Sequence, residues 1–172
     1  MKHVLPCACA TIFLCTGAWA ADPTLSLDGY GSLKFGMPAE RVLRLLQDEK
    51  PYNPAASDAC EQFTLPQFRA MGLRFMLEKS KLVRIDVDFD AGAVETSAQT
   101  DKGIGLRAKE EDVLKAYPDA VIKPNPADPT WHTIVVQSPD RSRGIIFETN
   151  GKTVKSIRAG DTPVIAAAEG CN

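Results

Sequence analysis

This chain is poor in the residues that most often announce chemistry. It holds two histidines and two tryptophans in 172 residues, and beyond position 20 one of each remains, His132 and Trp131. A nucleophilic triad would need His132 beside an activated serine or cysteine, and no Gly-x-Ser-x-Gly elbow is present. Zinc held by a single imidazole would have to draw its other ligands from carboxylates, an uncommon set. Gly103-Ile104-Gly105 lacks the third glycine of a dinucleotide fingerprint, and no phosphate loop occurs, so no cofactor is implied. Basic residues form no run and the formal net charge is −2, which argues against nucleic acid and against an anionic membrane surface as partners. The apolar stretch at 4–15 is shorter than the ~20 residues of a membrane span.

What that stretch does resemble is an export signal. Lys2 supplies the basic start, the apolar segment follows, and Ala18-Trp19-Ala20 is a small-residue cleavage site. The sequence therefore predicts a leader over 1–20 and a periplasmic or secreted chain over 21–172. That is enough for one domain with a real core.

Cysteine is scarce outside the leader. Cys7, Cys9 and Cys15 leave with it; Cys60 and Cys171 remain. Two cysteines in an exported chain predict one disulfide. It would close a loop of about 111 residues, for which the chain-entropy account gives roughly 4–5 kcal/mol.

What the chain has in quantity is self-similarity. Residues 33–46 align with 104–117, and 72–85 with 144–157, at a period of about 71–72 residues. Each copy reads as a short strand, a helix and an antiparallel hairpin. In the first, Pro38 suits a first helical turn, and Ala39, Val42, Leu43 and Leu46 mark one buried face. In the second, Glu110, Val113, Leu114 and Tyr117 take the equivalent places and Pro118 stops the helix. Val83, Ile85, Val87 and Phe89 alternate with Arg84, Asp86, Asp88 and Asp90, as in a strand with one buried face. Asn150-Gly151 is a hairpin turn between strands at 145–149 and 152–157. A further strand covers 131–137, after a Pro-rich loop at 123–129. The polar segment 91–102 reads as a connector between copies. The predicted fold class is α+β, a tandem pseudo-twofold repeat in which each unit packs a helix on an antiparallel sheet. Repeat one covers about 29–90 and repeat two about 102–172 of a single domain. Val42, Leu46, Val113 and Tyr117 are expected to pack on Phe75, Ile85, Phe147 and Ile157.

Gly36-Met37-Pro38-Ala39-Glu40-Arg41-Val42, after a short strand and opening a helix, resembles the Gly-Met-Thr-x-x-x-Val signature. That signature belongs to the β-lactamase inhibitor protein and to the small lipoproteins of the outer-membrane assembly machinery. The tandem arrangement is more similar to the inhibitor, two copies of a helix-plus-sheet unit with a concave sheet surface. A closer resemblance, over most of 21–172, is to uncharacterised secreted bacterial proteins ending in Glu-Gly-Cys, as Glu169-Gly170-Cys171 does here. Pro38 stands where the signature has threonine, and the second copy has Arg107-Ala108-Lys109 where Gly-Met-Thr would stand. The resemblance implies a fold and a binding role; no contact residues carry over.

Four residues are candidates for partner or ligand contact. Trp131 and His132 form the first pair, since an exposed tryptophan anchors interfaces and stacks on sugars. Asp86 and Asp88 form the second. Their spacing resembles a calcium loop, but Ala91 and Ser97 occupy the positions where glycine and glutamate are needed, so a solvated acidic stripe at an interface rim is the better reading. Glu110-Glu111-Asp112 reads as helix-dipole pairing at a first turn. The expected function is a non-enzymatic binding protein of the bacterial envelope, engaging another protein as an inhibitor or assembly factor. A carbohydrate or small-molecule binder centred on Trp131 and His132 is the alternative. An envelope hydrolase, the third reading, would need a carboxylate pair near His132.

Overall fold

The two longer helices begin where the apolar spacing places them, and hairpin turns cap them. In the computed structural model, which describes residues 22–47, 60–90 and 98–171, the chain starts with β1 (Leu25–Ser26), β2 (Gly29–Tyr30) and β3 (Leu33–Lys34). Helix α1 (Ala39–Leu46), β4 (Glu61–Phe63), the single turn α2 (Pro66–Arg69), β5 (Leu73–Glu78) and β6 (Lys81–Asp88) follow. The remainder is α3 (Glu110–Ala116), β7 (Val121–Pro124), β8 (His132–Gln137), β9 (Arg143–Thr149), β10 (Val154–Asp161) and α4 (Thr162–Ala166). The residue before each of the two longer helices, Pro38 or Lys109, is extended and makes no side-chain cap. Instead the first helical N–H donates to a hairpin carbonyl: Ala39 to Ser80 and Glu110 to Lys152, each at 2.9 Å. This satisfies one of the donors that every helix start leaves free.

Among the described residues the fold is mixed α+β, with antiparallel sheets and four helices. β1, β2 and β3 form a small sheet; the other seven strands form one sheet in the order β4-β5-β6-β10-β9-β8-β7. One face carries Phe75, Ile85, Ile157 and Phe147, each essentially inaccessible, and meets Val42, Leu46, Val113 and Tyr117 of the helical layer in a single hydrophobic cluster. The eight side chains expected to pack together therefore share one core. Leu43 and Phe89, also expected on buried faces, are only half-buried, and Leu114 is 36% exposed, because Val113 and the C-cap residue Tyr117 already take the core-facing positions. Among the described residues no helix is long and apolar enough to cross a membrane.

The sheet departs from the simple alternation in two places. Met76 pairs with Arg84 but Leu77 pairs with Leu82, so Val83 is a bulged extra residue and Leu82, not Val83, faces the main core. A second bulge leaves Lys155 unpaired, between Val154–Thr149 and Ser156–Glu148. At the central seam, Gly160 lies opposite Arg84. Its φ is +152°, and a Cβ there would stand 2.1 Å from the carbonyl oxygen of bulged Val83, so only glycine lets the two strands close.

The expected leader over 1–20 lies outside the described residues, as does 91–97 of the expected connector. The described part of that segment is not a loose linker. Thr100 bridges Leu25, whose N–H and carbonyl bond Gln99 and Asp101, and Ala98 and Thr100 are buried. Lys123 and Pro124, expected in the Pro-rich loop, belong to edge strand β7, where proline is tolerated because no outer neighbour needs its N–H. Cys60, just before β4, is joined by a disulfide to Cys171 with Cα atoms 5.3 Å apart.

Candidate functional site: two polar clusters on opposite sheet faces

Successive strand residues project to opposite faces. His132 continues the core-facing row of Ile134 and Val136 on β8, opposite Thr149 of β9, where helix α3 begins. Its Nδ1 lies 2.9 Å from both carboxylate oxygens of Glu110, and the hydroxyl of Thr149 donates to the same carboxylate. A carboxylate only accepts, so this geometry places the ring proton on Nδ1 and leaves Nε2 without a hydrogen-bond partner among the described residues. The side chain of Glu110 is 13% exposed and that of His132 28%, so the pair forms a half-buried corner. Trp131, 37% exposed, terminates a loop closed by Asn125 N–H to the Trp131 carbonyl and Trp131 N–H to the Asp128 carbonyl.

Glu110 was expected to serve only as a dipole partner. It does more, because it occupies the core-facing position of its helix, three and seven residues ahead of Val113 and Tyr117. That spacing was the available signal. The corner where α1 meets the β5–β6 hairpin has the same backbone contact but is apolar, with Ala39 and Leu77 both buried. A helix–hairpin junction of this kind therefore does not need a Glu–His–Thr cluster in order to pack. Replacing Glu110 with alanine leaves half-buried His132 and fully buried Thr149 without their acceptor. The expected loss is about 1–3 kcal/mol, measured by urea unfolding, with Glu110→Gln losing less. A Glu110→Ala protein as stable as the parent would show that this carboxylate does not hold the corner.

Asp86 and Asp88 lie on the face of the sheet opposite to His132. The expectation of a solvated acidic stripe is overturned here. Asp86 and Arg84 are each 3% exposed, because α4 and the tail after it lie across this face. Gly144 makes room for them: a Cβ there would stand 2.9 Å from Ile165. Arg84 Nε donates to Asp86 at 2.7 Å, and its Nη1 donates to the carbonyls of Val164, Ala167 and Glu169. Gln62 donates to the second Asp86 oxygen at 2.7 Å. Burial pushes the Asp86 carboxyl above the ordinary carboxylate range, against the opposing pull of Arg84.

Beyond the tail, the same face stays open. Arg74 donates to both oxygens of Asp88 at 2.9 Å, and Arg158 donates to Glu148 at 2.6 Å. Glu148 also accepts from Thr133, and Arg158 Nε holds the Ile165 carbonyl. Arg74, Asp88 and Arg158, with Asp90, Ser156 and Glu169, border a polar recess of about 360 Å³ whose lining includes neither Glu148 nor Trp131. Sequence reading missed the arginines and Glu148, since nothing local distinguishes a cross-strand ion pair from two solvated charges. Among the described residues no three His, Cys, Asp or Glu side chains converge as a metal site. Comparisons with protein-family models, curated proteins and solved structures give no match.

Proposed function

We propose that this chain is an exported, non-enzymatic binding protein of the bacterial envelope, and that the open part of its outer sheet face engages another protein. The observation that carries this reading is the cross-strand ion pair Arg74–Asp88 at the 360 Å³ recess, with Arg158, held by Glu148, at the recess's buried side. Charges held in fixed pairs on a sheet present a preset pattern of potential, which steers a partner and fixes its register. The leader motif at 1–20 and the Cys60–Cys171 disulfide support export to an oxidising compartment.

The architecture belongs to the same proposal. We read the chain as a duplicated helix-plus-sheet unit whose copies meet at β6 and β10. The bulge at Val83 has its counterpart at Lys155, and the bridge Pro38–Lys81 has its counterpart at Lys109–Thr153. The hydrogen bonds of Gly36 and Leu82 recur at Arg107 and Val154.

Photo-cross-linking tests the binding reading. A benzophenone side chain at Thr133 or Ser156 is expected to capture a defined envelope protein, and one at Leu45 or Glu40 is not. Arg74→Glu with Asp90→Lys should reduce that capture at least about tenfold. Adducts from the helical side alone would overturn the reading. So would the absence of any adduct together with a saturable change in Trp131 fluorescence on adding oligosaccharide. The second result would favour a glycan site at Trp131 and His132, the reading supported by the exposed indole beside the Glu110–His132 pair.

A further inference from the structure

A second recess of about 360 Å³ opens on the helical side of the sheet, away from the proposed protein-binding face. Val136 and Ile145, paired across β8 and β9, lie on its sheet side, and Leu27, Pro118 and Ala120 add further apolar lining. Its charged lining is mostly acidic, with Asp28, Asp101 and Asp119 against Lys102. Asp28 is paired with Arg143, whereas Asp101 and Asp119 have no ion-pair partner among the described residues. Between them stands Tyr117, whose hydroxyl donates to Asp101 at 3.3 Å and whose ring packs on Phe147 at 5.5 Å. Burial pushes the Tyr117 phenol up to about 12, so it remains a neutral donor.

This recess already holds a cation. The Lys102 ammonium sits 5.1 Å from the Tyr117 ring centroid and donates to the Ala116 carbonyl, at the end of α3, at 3.0 Å. An aromatic face, a helix-terminal carbonyl and nearby carboxylates are the three groups that stabilise a positive charge. Lys102 is exposed and its stem is flexible, so its ammonium is a displaceable occupant. The volume is at the lower end of the range for small-molecule sites. We propose that the recess is a binding site for a small organic cation, an ammonium on an apolar body. The ammonium replaces that of Lys102 at the Tyr117 ring and the Ala116 carbonyl, with Asp101 on the recess wall to balance its charge, and the apolar body covers Val136, Ile145 and Ala120. The aspartates select against anions of the same shape.

The test is an NMR titration of the isotope-labelled full chain with n-hexylammonium, hexanoate and hexanol. Hexylammonium is expected to shift Ala120, Val136 and Ile145 saturably, with hexanoate and hexanol at least about tenfold weaker. Lys102→Ala should tighten hexylammonium binding by about threefold or more, because the internal competitor is gone. Asp101→Asn, which keeps a hydrogen-bond acceptor for Tyr117, should weaken it about tenfold; Asp119→Asn provides the same readout if that variant misfolds. The proposal is overturned if hexanoate or hexanol binds as tightly, if Lys102→Ala weakens binding, or if no saturable shift occurs at these residues. Because the site and the outer face lie on opposite sides of the sheet, the charge variants Arg74→Glu and Asp90→Lys should leave this titration unchanged.

Discussion

Serine at Cys60 or Cys171 is expected to cost this protein about 2–5 kcal/mol of stability. The bond spans a separation of 111 residues, so it removes a large share of the conformational freedom of the unfolded chain. It also pins the tail beyond α4 beside β4, the edge of the large sheet. For a chain of this length the loss corresponds to a fall of roughly 10 °C in the melting midpoint. Urea unfolding with and without reductant measures it. The reduced parent and the Cys60→Ser, Cys171→Ser double variant should share one midpoint, and reductant should not affect the variant. A parent whose midpoint ignores reductant would contradict the expectation.

Arg84→Met should be comparably severe, at about 3–5 kcal/mol near neutral pH. The substitution leaves Asp86 buried without its cation, and it releases three tail carbonyls. The pH dependence separates these two causes. In the parent, burial already raises the Asp86 carboxyl above its ordinary value of 3.8, and Arg84 is the main opposing influence. Without Arg84 the folded-state value rises further while the unfolded value stays. The folded variant then holds a proton that the unfolded chain releases, in the window above the ordinary value and below the raised one. Its stability therefore improves as pH falls from 7 through that window, and the deficit against the parent narrows. A deficit constant from pH 7 to pH 4.5 would assign the loss to the tail contacts instead. Arg84→Met combined with Asp86→Leu should recover most of the stability at pH 7, since apolar replacement of both partners removes the stranded charge.

Much of the fold was legible because its signals are local. The spacing of Ala39, Val42 and Leu46 placed α1, the alternation of Ile85 and Val87 placed β6, and Asn150-Gly151 placed the β9–β10 turn. The misreadings share a cause, which is that burial was decided by residues distant in sequence. Arg84 and Asp86 alternate with apolar neighbours as solvated charges do, and only a tail some 80 residues later covers them. The slip at Val83 is a pairing irregularity between two strands, invisible in either strand alone. Of the candidate site, Trp131 and His132 were found by their rarity. Glu110 was named at its core-facing position but read as a dipole partner, and Thr149 gave no local sign. The outer-face arginines could not be found by pattern, because each depends on the cross-strand partner it meets.

The central seam also sets a time order for folding. The β5–β6 and β9–β10 hairpins join neighbours in the chain, with two-residue and four-residue turns at Lys79-Ser80 and 150–153, and close in about 1–10 μs. Pairing β6 with β10 brings Val87 to Ile157 across the intervening helix and three strands, a far longer loop to close. Such non-local pairing slows folding, so each half-sheet waits with an unpaired inner edge until the other arrives. That edge includes Ile85 and Val87, and during this interval it is the segment most open to pairing with another chain. Folding at low concentration would keep this edge for its own partner.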